Sequence, residues 1–254
     1  MGELEGKVVF LTGAGSGVGV GLALALGKAG ATIGMMGRTR ETLERTKAML
    51  DELGVKSLVR VGDCTIREDV NRCVAATQEA FGPIWALVNN AYLAWRTRVS
   101  EITDEYLDKS LRGCIHNTLY CMQAVYPTMK QHGGRIINFG TGASTMGTPN
   151  MGAYNIAKEG IRGLTKSAAV EWGKYGITVN NVCPLAFSDS YKYWFDEILN
   201  DAGREEHLAG IPMRRVGDPE KDIAPLVVFL ASEASGYITS RTFHVDGGNC
   251  FYDR

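Results

Sequence analysis

Apolar residues along the chain alternate between two patterns. Short continuous runs at 7–12, 31–36, 57–61, 84–88, 135–139, 178–182 and 242–245 predict seven buried β-strands. Between them, apolar positions recur at helical spacing. Helices are predicted over 19–30 and 41–53, and over a stretch whose apolar face is Val70, Cys73, Val74, Thr77 and Phe81. Residues 103–129 read as one long helix ending before Gly133-Gly134, and 153–172 as another. Asp218-Pro219-Glu220 supplies the cap residue and first-position proline of a helix start, and that helix runs to about 231.

Strands separated by helices imply βαβ units, hence an α/β fold whose parallel sheet is covered by helices on both faces. Seven strands fit one doubly wound, mostly parallel sheet in a single domain over residues 1–254. No Pro/Gly/Ser-rich linker divides the chain and no repeat is visible. One segment breaks the rhythm. Residues 186–212 are rich in aromatics, with Phe187, Tyr191, Tyr193, Trp194 and Phe195. An insertion of this kind serves as a substrate loop or as a docking helix at a subunit contact.

Charge then removes whole classes of function. Lysine and arginine number 27 against 28 acidic residues, with no run of like charge, so neither nucleic acid nor an anionic membrane is an expected partner. The most apolar long stretch, 20–36, contains Lys28 and four glycines, which suits a buried helix and strand better than a membrane span. The opening Met-Gly-Glu-Leu-Glu-Gly-Lys lacks a secretory pattern, and Cys64, Cys73, Cys114, Cys121, Cys183 and Cys250 form no C-x-x-C pair. A cytoplasmic protein with free thiols is expected. His116, His132, His207 and His244 show no ligand spacing, so no metal is expected.

The candidate chemistry begins at Thr12-Gly13-Ala14-Gly15-Ser16-Gly17-Val18-Gly19, between the first strand and the first helix. Glycine lets the turn approach a pyrophosphate, and free N–H groups at a helix start attract its charge. This is the Rossmann arrangement, and it calls for a dinucleotide. An acidic residue about 20 positions on would bind the ribose 2′-OH of NAD. Gly37-Arg38-Thr39-Arg40 stands there instead, and Arg38 offers a planar fork for a 2′-phosphate. NADP(H) is therefore favoured over NAD(H).

Further motifs follow in order: Asp63 after the third strand, Asn89-Asn90-Ala91 after the fourth, Tyr154-x-x-x-Lys158, Asn180 and Pro184 near the sixth, and Val245-Asp246-Gly247-Gly248 near the end. Together with the glycine loop they make the chain resemble the short-chain dehydrogenase/reductase family, in its classical form, over nearly its whole length. The resemblance implies hydride transfer between NADP(H) and a ketone or secondary alcohol, with Thr141, Tyr154 and Lys158 as the catalytic residues. Tyr154 and Lys158 share a helix face, where the ammonium is expected to stabilise the phenolate. Thr141 stands in for the family's serine and would orient the substrate oxygen, with Ser144 the alternative.

The resemblance also implies cofactor contacts. Gly13, Ser16, Gly17, Val18 and Gly19 would take the pyrophosphate, and Arg38 and Thr39 the adenosine phosphate end. Asp63 and Cys64 would lie against the adenine, and Asn90 and Ala91 beside its ribose. Tyr154 and Lys158 would meet the nicotinamide ribose, with Pro184 and Phe187 flanking the nicotinamide amide. Members often assemble as tetramers through their two long helices, here 103–129 and 153–172, so a homotetramer or dimer is expected. Cys250-Phe251-Tyr252 offers a second apolar contact.

Four positions depart from the family pattern. Tyr92 replaces the glycine after Asn-Asn-Ala. Cys114 falls on the asparagine that holds a relay water, with Asn117 one turn off. Leu185 replaces the glycine after Pro184. Ser16 stands where many NADP-dependent members carry a basic residue. These changes cluster at the active-site mouth. With Trp95, Tyr191 and Trp194, Tyr92 predicts an apolar pocket for a bulky or cyclic small-molecule substrate. Two alternatives keep the fold: an NAD(H)-dependent alcohol dehydrogenase, and a catalytically weak NADP-binding regulatory protein. Non-redox chemistry at the tyrosine accompanies a lost nucleotide loop, and this chain keeps the loop.

Overall fold

Neighbouring residues of a strand point to opposite faces of a sheet, and the first strand uses both faces. Val9 and Leu11 enter one hydrophobic cluster, Val8 and Phe10 the other. The computed structural model describes residues 2–93 and 96–250, so Trp95, Phe251 and Tyr252 lie outside the described residues. The strands are β1 (Val8–Thr12), β2 (Thr32–Gly37), β3 (Ser57–Val61), β4 (Ile84–Asn89), β5 (Gly134–Phe139), β6 (Ile177–Pro184) and β7 (Thr242–Val245). They form one seven-stranded sheet in the order β3-β2-β1-β4-β5-β6-β7. Every described pair is parallel, where a mostly parallel sheet was expected.

The helices are α1 (Val18–Lys28), α2 (Arg40–Glu52), α3 (Arg67–Phe81), α4 (Asp104–Leu111), α5 (Asn117–His132), α6 (Gly142–Met146), α7 (Gly152–Trp172), α8 (Asp189–Tyr193), α9 (Asp201–Ala209) and α10 (Ala224–Ala231). Leu22 and Leu26 of α1, Leu43 and Leu50 of α2 and Val227 and Leu230 of α10 cover one face of the sheet. Val70 and Val74 of α3, Met122 and Val125 of α5 and Ala168 of α7 cover the other. Each such fully buried aliphatic side chain contributes about 1.5–3 kcal/mol. The two layers leave the carboxyl ends of the strands as open ground. β1 lies between β2 and β4, so the winding reverses there and a crevice opens between their ends.

Two expected elements differ in detail. The long helix runs from Asp104 to His132, but a π turn at Arg112–His116 separates α4 from α5. The cause lies outside the helix. Leu93 donates its N–H to the Gly113 carbonyl at 3.1 Å, and a widened turn leaves that carbonyl free to accept it. Residues 186–212 are mostly helical: α8, a π turn at Trp194–Ile198, then α9.

Candidate active site

The glycine loop is shaped by close approach as well as by turn angles. Gly13 and Gly17 have φ of +69° and +50°, which side chains rarely adopt. A Cβ at Gly19 would lie 1.9 Å from the Gly13 carbonyl oxygen, so Gly19 packs the start of α1 onto the loop. The first turn of α1 holds no acidic residue and no side-chain cap; Gly19 and Val20 donate their N–H groups to the Ser16 and Gly17 carbonyls at 3.1 and 3.3 Å, and the positive end of the helix dipole faces the loop. The loop is fastened from β4. Asn90 donates its amide to the Thr12 and Gly13 carbonyls, both at 3.1 Å, and the Ala91 N–H donates to the Thr12 hydroxyl at 3.1 Å.

Beside the loop lies a cleft of about 380 Å³. Of the expected cofactor contacts, Gly13, Ser16, Gly17, Val18, Arg38, Thr39, Asp63, Cys64, Asn90 and Ala91 line it, together with Tyr92 of the expected substrate pocket. Gly19, Tyr154, Lys158, Pro184 and Phe187 do not line it. Arg38 is exposed on the cleft and makes no ion pair among the described residues, whereas Arg40 pairs with Glu44 at 3.4 Å. The glycine cradle, the helix N-terminus and this guanidinium are the donor set a phosphorylated dinucleotide needs.

The catalytic candidates meet beside the Tyr92 end of the cleft. Thr141 follows β5 and caps α6, accepting the Ala143 N–H at 3.2 Å. Its side chain also faces the Tyr154 phenol and draws it down. Ser144 turns its hydroxyl back onto the Thr141 carbonyl at 2.9 Å, which leaves Thr141 as the group facing Tyr154. Lys158 is buried, and its Nζ donates to the Phe139 carbonyl at 2.8 Å. Nζ lies 5.9 Å from the Tyr154 ring centroid but only 4.6 Å from that of Tyr92.

The electrostatics correct one expectation. Tyr154 keeps part of its surface in solvent, yet burial around its hydroxyl pushes the phenol up to about 12, opposed mainly by the Thr141 side chain. An ammonium that lowers the phenol into the working range is not the arrangement found, because Lys158 directs its charge at Phe139 and the Tyr92 face.

Cys114 occupies the place of the relay asparagine and serves the neighbouring loop. Its thiol, raised by burial, reaches the Leu93 carbonyl at 3.8 Å. Asn117 is buried and donates to the Ala91 and Gly113 carbonyls at 2.8 and 3.1 Å. Asn117 lines the cleft with Leu93, Ser188 and Asp189, none of which was among the expected contacts. Its position one turn beyond Cys114 was the only local signal, and Ser188 and Asp189 arrive through chain closure, with no local signal.

Tyr191 and Trp194 come together in a separate aromatic cluster. Their ring centroids are 5.5 Å apart, and Phe187 stands 5.7 Å from both Tyr191 and Phe195. The Tyr191 hydroxyl is hydrogen-bonded to His207 Nε2. Burial pushes the Tyr191 phenol up to about 12 and draws His207 below its ordinary value. No described ring contact joins this cluster to Tyr154. The ring that reaches Tyr154 is Tyr92, at 5.9 Å.

All six cysteines are free thiols. His244, Asp246 and Cys250 bring donor atoms within 4.8 Å of one another. Asp246 already accepts the Gly248 and Cys250 N–H groups at 3.0 and 2.8 Å, which closes that turn. Among the described residues no helix is long and apolar enough to cross a membrane.

Comparison with known proteins agrees with this geometry. A family model described as enoyl-(acyl carrier protein) reductase matches residues 13–249. The chain is 37% identical to a 12α-hydroxysteroid dehydrogenase of Clostridium sp., over 98% of each chain. It is 35% identical to a 3-oxoacyl-[acyl-carrier-protein] reductase, FabG, of Vibrio cholerae, over 96% of this chain and 98% of that one. Among solved structures, a variant of actinorhodin polyketide ketoreductase with NADPH is similar at a TM-score of 0.90 and 28% identity, covering 99% of this chain and all of the other.

Proposed function

The chain belongs to the classical short-chain dehydrogenase/reductase family and is an oxidoreductase of the CH–OH/C=O group, and we propose that it works with NADP(H) on a bulky or cyclic apolar ketone or alcohol. The observation that carries this reading is the grouping of Thr141 and Tyr154, with Lys158 one helical turn on, beside a glycine-cradled cleft that bears Arg38.

NADP(H), when bound, supplies or accepts the hydride. The chain's own residues do the rest. The loop N–H groups and the start of α1 hold the pyrophosphate. Arg38 takes the 2′-phosphate, Asp63 and Cys64 face the adenine, and Asn90 and Ala91 flank its ribose. Lys158 holds the nicotinamide ribose, and Pro184 and Phe187 border the amide. Thr141 hydrogen-bonds the substrate oxygen. Tyr154 gives that oxygen a proton at its Oη in reduction and takes one in oxidation.

Substrate bulk is supported by Tyr92 at the cleft end and by the hydroxysteroid dehydrogenase relative. The working form is a homo-oligomer, tetramer or dimer, in the cytoplasm. Fluorescence titration with NADPH and NADH, followed by a panel of oxo-steroids, decalones and small acyclic ketones, tests the reading beside a Tyr154→Phe control. Tighter NADPH binding, faster turnover of the ring ketones and an inactive control are expected. Failure of both nucleotides to bind at millimolar concentration would sink it.

A further inference from the structure

Two departures from the family pattern, Tyr92 and Cys114, are neighbours in space. The loop after β4 is clamped at three points, two on the π turn and one on the first residue of α5. Asn117 donates to the Ala91 carbonyl at 2.8 Å, Leu93 donates to the Gly113 carbonyl at 3.1 Å, and the Cys114 thiol reaches the Leu93 carbonyl at 3.8 Å. Tyr92 sits between the two clamped residues, so its backbone is fixed even though its side chain is 43% exposed. The clamp sets its ring 4.6 Å from the Lys158 ammonium.

An ammonium has three N–H donors and no acceptor. One N–H of Lys158 goes to the Phe139 carbonyl. The thiol at position 114 donates to the Leu93 carbonyl, and Lys158 acts on it through charge alone. The negative face of an aromatic ring attracts a cation within about 6 Å of its centroid, most strongly where water is excluded, and Lys158 is 2% exposed.

We propose that Tyr92 is a positioning residue, whose ring face holds the Lys158 ammonium in place for the nicotinamide ribose. It acts through Lys158, and it rests on the hydride-transfer reading above. Among the described residues, Lys158 acts through charge on Cys114 of the π turn and Cys183 of β6 and lies near the Tyr154 ring of α7, and Arg96 of the loop after β4 acts on Tyr154.

The test replaces Tyr92 with phenylalanine, then with mono-, di- and trifluorophenylalanine, and finally with leucine. Fluorine drains the ring face while nearly preserving its shape. The readouts are the NADPH dissociation constant by fluorescence, and kcat and KM for a decalone. Tyr92→Phe keeps the ring face and is the reference for the fluorinated series. NADPH binding and kcat should then weaken stepwise with fluorine, to about tenfold at trifluorophenylalanine and in Tyr92→Leu, while the decalone KM stays put. A fluorinated series equal to Tyr92→Phe overturns the proposal. So does NADPH binding that tightens with fluorine, since the ring would then compete with the cofactor. A rise in decalone KM alone overturns it too, as the mark of a simple pocket wall. Failure of the parent protein to bind NADPH or to reduce any ketone would instead remove the hydride-transfer reading itself, whatever the Tyr92 series shows, and retained activity in Tyr154→Phe would remove Tyr154 as the proton donor.

Discussion

The Thr141 side chain faces the Tyr154 phenol across the gap between the end of β5 and the first turn of α7, and draws it down against the burial that raises it. The threonine is itself fixed as the cap of α6. Its hydroxyl therefore stands ready for a substrate oxygen that comes to Tyr154. Thr141→Val keeps the shape and removes the donor, so kcat/KM should fall by about 10²-fold or more. Thr141→Ser keeps the hydroxyl and should stay within a few-fold of the parent. Equal activity in the valine and serine variants would remove Thr141 from the chemistry.

The phenol of Tyr154, pushed up to about 12 by burial, fixes the sign of a pH dependence. A raised phenol is protonated across the neutral range. Ketone reduction needs that proton, so its kcat/KM should not lose the donor between about pH 6 and about pH 10. Alcohol oxidation needs the phenolate, whose fraction grows tenfold per pH unit below the phenol's own value. Oxidation should therefore climb through the alkaline range. An oxidation profile already flat below about pH 8 would mean that the phenol ionises much earlier.

Arg38 and Arg40 make a matched pair for testing cofactor choice. Arg38 lines the cleft without an ion-pair partner among the described residues, and Arg40 is held by Glu44. A charge-assisted hydrogen bond contributes about 1.5–3 kcal/mol, so Arg38→Ala should weaken NADPH binding roughly 10- to 100-fold. NADH binding should hardly change. Arg40→Ala should leave both nucleotides as they were. Equal loss for NADPH and NADH in Arg38→Ala would show that Arg38 does not read the 2′-phosphate.

The parts of this fold that depend on near neighbours could be read from the sequence. Val8 to Leu11 announce a strand buried on both faces, and the glycines from Gly13 to Gly17 announce the turn beyond it. Asp63, Cys64, Asn90 and Ala91 line the cleft at strand ends that the hydrophobic pattern locates, but their places there were legible only through the family resemblance. Features set by distant partners stayed hidden. The π turn at Arg112–His116 answers to Leu93, some twenty positions earlier, and helical periodicity cannot register it. The Tyr154-x-x-x-Lys158 spacing puts two side chains on one face but does not say where the ammonium points. The Phe139 carbonyl decides that, and so the expected lowering of the phenol fails. Gly19 looks like a fifth phosphate-loop residue in the sequence, yet its missing side chain makes room for the Gly13 carbonyl.

Gly113 is where the same long-range contact can be tested by stability. In an ordinary helix interior, glycine to alanine gains up to about 1 kcal/mol. Here a Cβ would lie 1.9 Å from the Leu93 carbonyl oxygen and 2.8 Å from its carbon, both backbone atoms. Neither can swing aside as a flexible side chain would, because the Leu93 N–H is bonded to Gly113 itself. Overpacking of this kind costs about 1–3 kcal/mol or more, so the steric term exceeds the propensity gain. Gly113→Ala should lower stability in urea unfolding by roughly 1–2 kcal/mol. It should also weaken NADPH binding, since Ala91 and Tyr92 precede Leu93 on the displaced loop and both line the cleft. A variant as stable as the parent would mean that the loop after β4 is free of the π turn, and the clamp that places Tyr92 would lose its foundation.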